Sequence, residues 1–104
     1  MNNKRRNELN GFRDELLNAI DVECMLDMIE SLSFDISSIK DDEEDALENL
    51  PESLLDSERG EGMQENVEDI ELISDYLEDI KKSLSDVKDV MDTIDAKITE
   101  IIER

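Results

Sequence analysis

Apolar residues recur in the C-terminal part of the chain at Ile73, Leu77, Ile80, Leu84, Val87, Met91, Ile94, Ile98 and Ile101, in gaps of four and three without a break. That spacing is a heptad repeat, with Leu77, Leu84, Met91 and Ile98 at a and Ile73, Ile80, Val87, Ile94 and Ile101 at d. It predicts a helix whose apolar seam meets another helix. Met63, Val67 and Ile70 carry the seam upstream. The helix is therefore placed at about 63–103, roughly 60 Å long at 1.5 Å per residue. Acids sit mostly at outer positions (Glu78, Asp79, Asp86, Asp92, Glu100), and Lys81, Lys88 and Lys97 flank the seam. Their aliphatic stems can cover its edges while the ammonium groups stay in water.

The N-terminal half carries a second, less regular stripe through Leu9, Phe12, Leu16, Ala19, Val22, Met25, Ile29, Leu32, Ile36 and Ile39. Around 16–25 its steps shorten to three residues, which reads as local overwinding of a continuous helix. Ile20, Leu26 and Met28 widen the apolar face there, and Phe34 lies off it. Ser31, Ser33, Ser37 and Ser38 make 31–38 the weakest stretch for helix propensity and the place for a bend. Ala46, Leu47 and Leu50 resume the stripe, giving a helix of about 6–49.

The segment between them, LPESLLDSERGEG at 50–62, interrupts both helices. Pro51 cannot continue a helix and disfavours helical geometry at Leu50, but it can open a new turn with Leu54 and Leu55 on its buried side. The expectation is a short helix at about 52–58, with Gly60 and Gly62 permitting the reversal. No run alternates with period two for long enough to suggest a strand. The expected fold is all-α: a single domain, 1–104, forming a long antiparallel helical hairpin of coiled-coil character with a short connecting helix. Both stripes are wider than one partner helix can cover, and a lone hairpin buries little apolar surface for the chain it must order. Dimerisation into a four-helix bundle is therefore expected.

Composition narrows the function. The chain of 104 residues has 31 acidic and 11 basic side chains, no histidine and one cysteine, for a formal net charge of −20. Direct binding of nucleic acid or of an anionic membrane through a basic surface is excluded by that sign, and no apolar run reaches the roughly 20 residues of a membrane span. The charge is unevenly spread: residues 14–80 hold 24 acids against Lys40 and Arg59, whereas 1–13 are net basic and 81–104 nearly balanced. In the C-terminal helix Glu78 and Lys82, Lys82 and Asp86, Lys88 and Asp92, and Glu100 and Arg104 stand four apart as opposite charges. In the middle, Asp41 and Asp45, Glu44 and Glu48, Glu61 and Glu65, and Glu65 and Asp69 stand four apart as like charges. Each like pair costs a few tenths of a kcal/mol, for which folding alone offers no reason.

The densest acidic run is Asp41, Asp42, Glu43, Glu44, Asp45, followed by Glu48. Together with Glu61, Glu65, Glu68 and Asp69 it is the candidate partner-binding surface. A basic protein is the partner such a surface suits; a solvated helix face is the plainer account of the same residues. Calcium is a weaker alternative, since the spacing and central glycine of an EF-hand loop are absent. Paired carboxylates do not read as a catalytic or two-metal site here, because the Glu-x-x-His element of carboxylate bundles cannot be built without histidine. No enzyme, cofactor or metal is expected. Cys24 reads as a core or boundary residue without an activating neighbour, and Met25, Met28, Met63 and Met91 as helix-packing residues. Lys4, Arg5 and Arg6 are too short a basic run for nucleic acid and suit pairing with acids of a neighbouring subunit.

The order KDDEEDALENL at 40–50, then PESL, SERGE and an acidic helix through residue 71 resembles a group of small acidic helical proteins encoded by Gram-positive bacteria and their phages. The likeness covers about 30 residues, with the flanking helices similar only in character. The group lends no catalytic residues. What the resemblance implies is a phage or mobile-element origin and a cytoplasmic setting.

Two functions follow as expectations. The first is a non-enzymatic interaction protein whose carboxylates, DNA-mimic in character, bind and inhibit a basic nucleic-acid-binding protein, in the manner of anti-restriction or anti-CRISPR inhibitors. The second is a coiled-coil assembly or adaptor protein whose function is its oligomer, built on the seam from Ile73 to Ile101.

Overall fold

The computed structural model describes residues 1–104 and is all-α, with no strand. Helix α1 spans Asn3–Ala19, α2 Val22–Glu48, α3 Glu52–Leu55 and α4 Glu58–Glu103. No helix is long and apolar enough to cross a membrane. The chain divides into two compact units, one made of Met1–Leu26 with Lys82–Arg104 and the other of Asp27–Lys81.

The N-terminal helix is broken where continuity is expected, and continuous where a bend is expected. Ile20 leaves helical geometry at φ −127°, ψ 91°, its N–H still bonded to the Leu16 carbonyl. Asp21 then starts α2 by accepting the Cys24 N–H on its side chain at 3.0 Å. This is an N-cap, and it satisfies one of the donors that every helix start leaves orphaned. The run of three-residue steps over 16–25 is therefore a break with a new start, and not overwinding. The serines of 31–38 are helical throughout.

The reversal also lies elsewhere than expected. It occupies Asn49–Ser57, and Gly60 and Gly62 are helical residues of α4 with no positive φ. Ser57 moves the start of α4 upstream of both glycines. Its carbonyl accepts the Glu61 N–H at 2.9 Å, its hydroxyl oxygen accepts the Gly60 N–H at 3.4 Å, and the hydroxyl donates to the Leu54 carbonyl. Gly60 is nonetheless required, for closeness rather than for its dihedral freedom. It is buried against α3, and a Cβ built on it would run into the Leu55 carbonyl and stand 2.6 Å from that of Leu54.

Within Met1–Leu26 and Lys82–Arg104, α1 and the start of α2 run antiparallel to the end of α4. The Arg13 guanidinium donates to Asp95 at 3.3 Å and to Thr99 at 3.1 Å, and Lys88 faces Glu23 at 3.8 Å. The three buried apolar side chains of the protein, Val22, Met91 and Ile98, all belong to this unit. Cys24 is exposed and not a core residue, because the break at Ile20–Asp21 turns Val22 inward instead.

Within Asp27–Lys81, α2 and α4 are again antiparallel. Lys81 meets Glu30 at 3.9 Å, Lys40 meets Glu71 at 3.5 Å and the Asn66 amide donates to Glu43 at 3.3 Å. Half-buried positions recur every three and four residues: Ile29, Ser33, Ile36, Lys40, Glu43, Leu47 and Leu50 on one helix, and Met63, Val67, Ile70, Ser74, Leu77 and Lys81 on the other. The inner face is thus rotated from the expected seam. Of the two seam rows on α4, Leu77, Leu84, Met91 and Ile98 turn inward, whereas Ile73, Ile80 and Val87 are exposed, with Ile94 and Ile101 half-buried. The stripe of the N-terminal half splits in the same way. Leu9, Leu16, Val22, Ile29 and Ile36 turn inward; Phe12, Met25, Leu32 and Ile39 stay exposed.

Candidate functional site

The acids expected to bind a partner come together in the unit Asp27–Lys81. Asp41 to Glu48 form the last two turns of α2, and Glu61 to Asp69 lie in the first turns of α4. The cross-contacts of Lys40 with Glu71 and of Glu43 with Asn66 place these stretches side by side and antiparallel.

They are not equivalent. Glu43 and Glu44 are half-buried and engaged, Glu43 with the Asn66 amide and Glu44 with the Lys40 ammonium at 3.7 Å. Asp41, Asp42, Asp45, Glu48, Glu61, Glu65, Glu68 and Asp69 are exposed and make no side-chain hydrogen bond or ion pair. Asp45 and Glu48 sit in the last turn of α2, which holds no base. The negative end of the helix dipole opposes a carboxylate there, by about 0.3–1 kcal/mol for each exposed group. Glu61 is the opposite case, since it lies in the first turn of α4 beside Glu58, where the dipole favours an acid. Folding therefore accounts for Glu61 and Glu44, and it works against Asp41, Asp42, Asp45 and Glu48.

Lys40 is the one base among these acids that the structure ties down. The Glu71 carboxylate holds its ammonium above the ordinary lysine value; partial desolvation opposes the shift, and Glu44 adds to it. A lone lysine among the acids of 30–48 is a visible sequence signal for such a cross-helix contact, as is Ser57 three residues before Gly60 for the start of α4. Arg13 has no comparable signal, because its partners Asp95 and Thr99 lie more than eighty residues away. Of the opposite-charge pairs expected four apart in the C-terminal helix, Glu100 with Arg104 forms, at 3.1 Å. Lys81 instead takes Glu78 and Glu30, and Lys88 takes Glu23.

No three carboxylate, cysteine or histidine groups converge closely enough to hold a metal ion. Comparison with protein-family models, with curated proteins and with solved structures yields no match to this chain.

Proposed function

We propose that this chain is a non-enzymatic interaction protein, and that the carboxylates of Asp27–Lys81 receive a basic, nucleic-acid-binding protein. The observation that carries the reading is the set Asp41, Asp42, Asp45 and Glu48: exposed, unpaired, and placed where the helix dipole and their own mutual repulsion oppose them. A cationic groove built for B-DNA meets a phosphate charge about every 1.7 Å of axis, and rows of acids on two adjacent helices offer it a comparable field. Inhibition of a restriction or CRISPR nuclease, by a protein of phage or mobile-element origin acting in the host cytoplasm, is the form of this function that the resemblance of residues 40–71 favours. The test is capture of a partner from host lysate at low salt, followed by titration with NaCl. Affinity falling steeply with salt, and lost when the four acids become Asn and Gln, supports the reading; binding indifferent to both overturns it.

A second reading, a coiled-coil assembly protein, is favoured by the exposed rows Leu32–Ile39 and Ile73–Ile80 and by the absence of any fully buried apolar side chain in Asp27–Lys81. In either reading the chain pairs with a second copy into a four-helix bundle. Light scattering at micromolar concentration should then report twice the 12.0 kDa chain mass or more.

A further inference from the structure

The inner contacts of Asp27–Lys81 separate its two flanks by chemistry. Lys40 and Lys81 reach toward one flank, where Glu44, Glu71, Glu30 and Glu78 meet them. In the heptad frame of these contacts those acids share one edge position. The opposite edge is formed by Leu32 and Ile39 on α2 and by Ile73 and Ile80 on α4. These four are 50%, 53%, 45% and 44% exposed, with Met28 and Tyr76 exposed beside them.

We infer that this apolar edge is the seat of a second copy of the chain, deepening the dimer proposed above by naming its surface. Three observations choose a second copy. The edge positions are uncharged in a chain whose residues are 40% charged, which is what two molecules of like charge need where they meet; a basic partner is better met on the acidic flank. The two rows repeat at the same seven-residue spacing on antiparallel helices, so a two-fold axis can set the rows of one copy against those of the other. The exposed surface is 7786 Å², against about 6,000 Å² for a compact monomer of this mass, and that excess is of the size a homodimer interface removes from each partner.

The experiment is sedimentation equilibrium of the full chain at 50 mM and 500 mM NaCl, with circular dichroism on the same samples. The wild type should be a dimer that tightens as salt screens the repulsion between copies. Ile80→Asp and Leu32→Asp should halve the apparent mass with helicity retained, whereas neutralising Asp41, Asp42, Asp45 and Glu48 should leave the mass unchanged. A second measurement serves if the aspartates unfold the chain: in Cys24→Ser, the thiol of Ile80→Cys should react with a disulfide reagent several-fold more slowly as concentration rises through the dimerisation range. An intact dimer in both aspartate variants, or a thiol rate independent of concentration in a dimeric sample, overturns the assignment of the edge and leaves the dimer standing. A wild type that is monomeric at both salts overturns the edge and the dimer together.

Discussion

Gly60 packs its backbone directly against the carbonyl of Leu55, leaving no room for a side chain at the junction of α3 and α4. Gly62, two residues on in the same helix, faces open space. The two glycines therefore respond oppositely to alanine. Gly60→Ala must push apart backbone atoms, and overpacking of this kind costs about 1–3 kcal/mol. Gly62→Ala removes the entropic penalty of glycine inside a helix and stabilises by about 0.5–1 kcal/mol. Urea unfolding of both variants at one fixed protein concentration checks the pair; equal effects would contradict the packing at Gly60.

Asp21 is the side chain that allows α2 to begin where α1 has ended. Asp21→Ala should destabilise by about 1 kcal/mol, and Asp21→Asn or Asp21→Ser should restore most of it, because either oxygen can accept the Cys24 N–H. Thermal melts of the three variants measure this. An alanine variant as stable as wild type would mean that the helix runs through residues 20–21 in solution.

The outcome at residues 20–21 and 57–62 shows where a sequence carries its own structure. Two helical regions, an interruption at Pro51 and a small helix at Glu52–Leu55 follow from periodicity and proline chemistry, which are local. Which of two overlapping seams faces inward is not local. Leu77 and Leu84 serve either the row of Ile73 and Ile80 or the row of Ser74 and Lys81. Apolar count favours the first. The chain packs the second, since Lys40 and Lys81 can lie along the interface by their stems and reach carboxylates at its edge. The candidate acids are legible as a run, but their division into engaged and unopposed members depends on Lys40, Asn66 and the end of α2. None of these is visible before the helices are placed.

Lys40 gives a pH signature. A cation held above its ordinary value by Glu71 and Glu44 contributes stability in full below its unfolded pKa, about 10.4, and loses that contribution as pH rises through the folded value. Comparison of wild type with Lys40→Met should show a difference that is constant between pH 7 and 9 and shrinks above about pH 10.5. Melting temperatures of the two proteins across that range provide the check. A difference that grows with pH would contradict the pairing.

The acids at the two helix ends make the sharpest contrast. Asp45 and Glu48 occupy the last turn of α2, facing the negative end of its dipole, and each stands beside other acids: Asp45 four residues from Asp41, Glu48 four from Glu44. Neutralising both as Asp45→Asn and Glu48→Gln removes two like-charge pairs and two unfavourable dipole contacts. A gain of about 1–2 kcal/mol is expected, shrinking as salt screens the same terms in wild type. Glu61 occupies the first turn of α4, where the dipole has the opposite sign, so Glu61→Gln should cost about 0.3–1 kcal/mol despite also removing a neighbour of Glu65. Chemical unfolding at 50 mM and 500 mM NaCl reads both. The inference to function depends on the first result, because acids that destabilise their own helix are held there by something other than folding. A loss of stability on neutralising Asp45 and Glu48 would return them to an ordinary structural role and remove the strongest support for a partner at this end of α2.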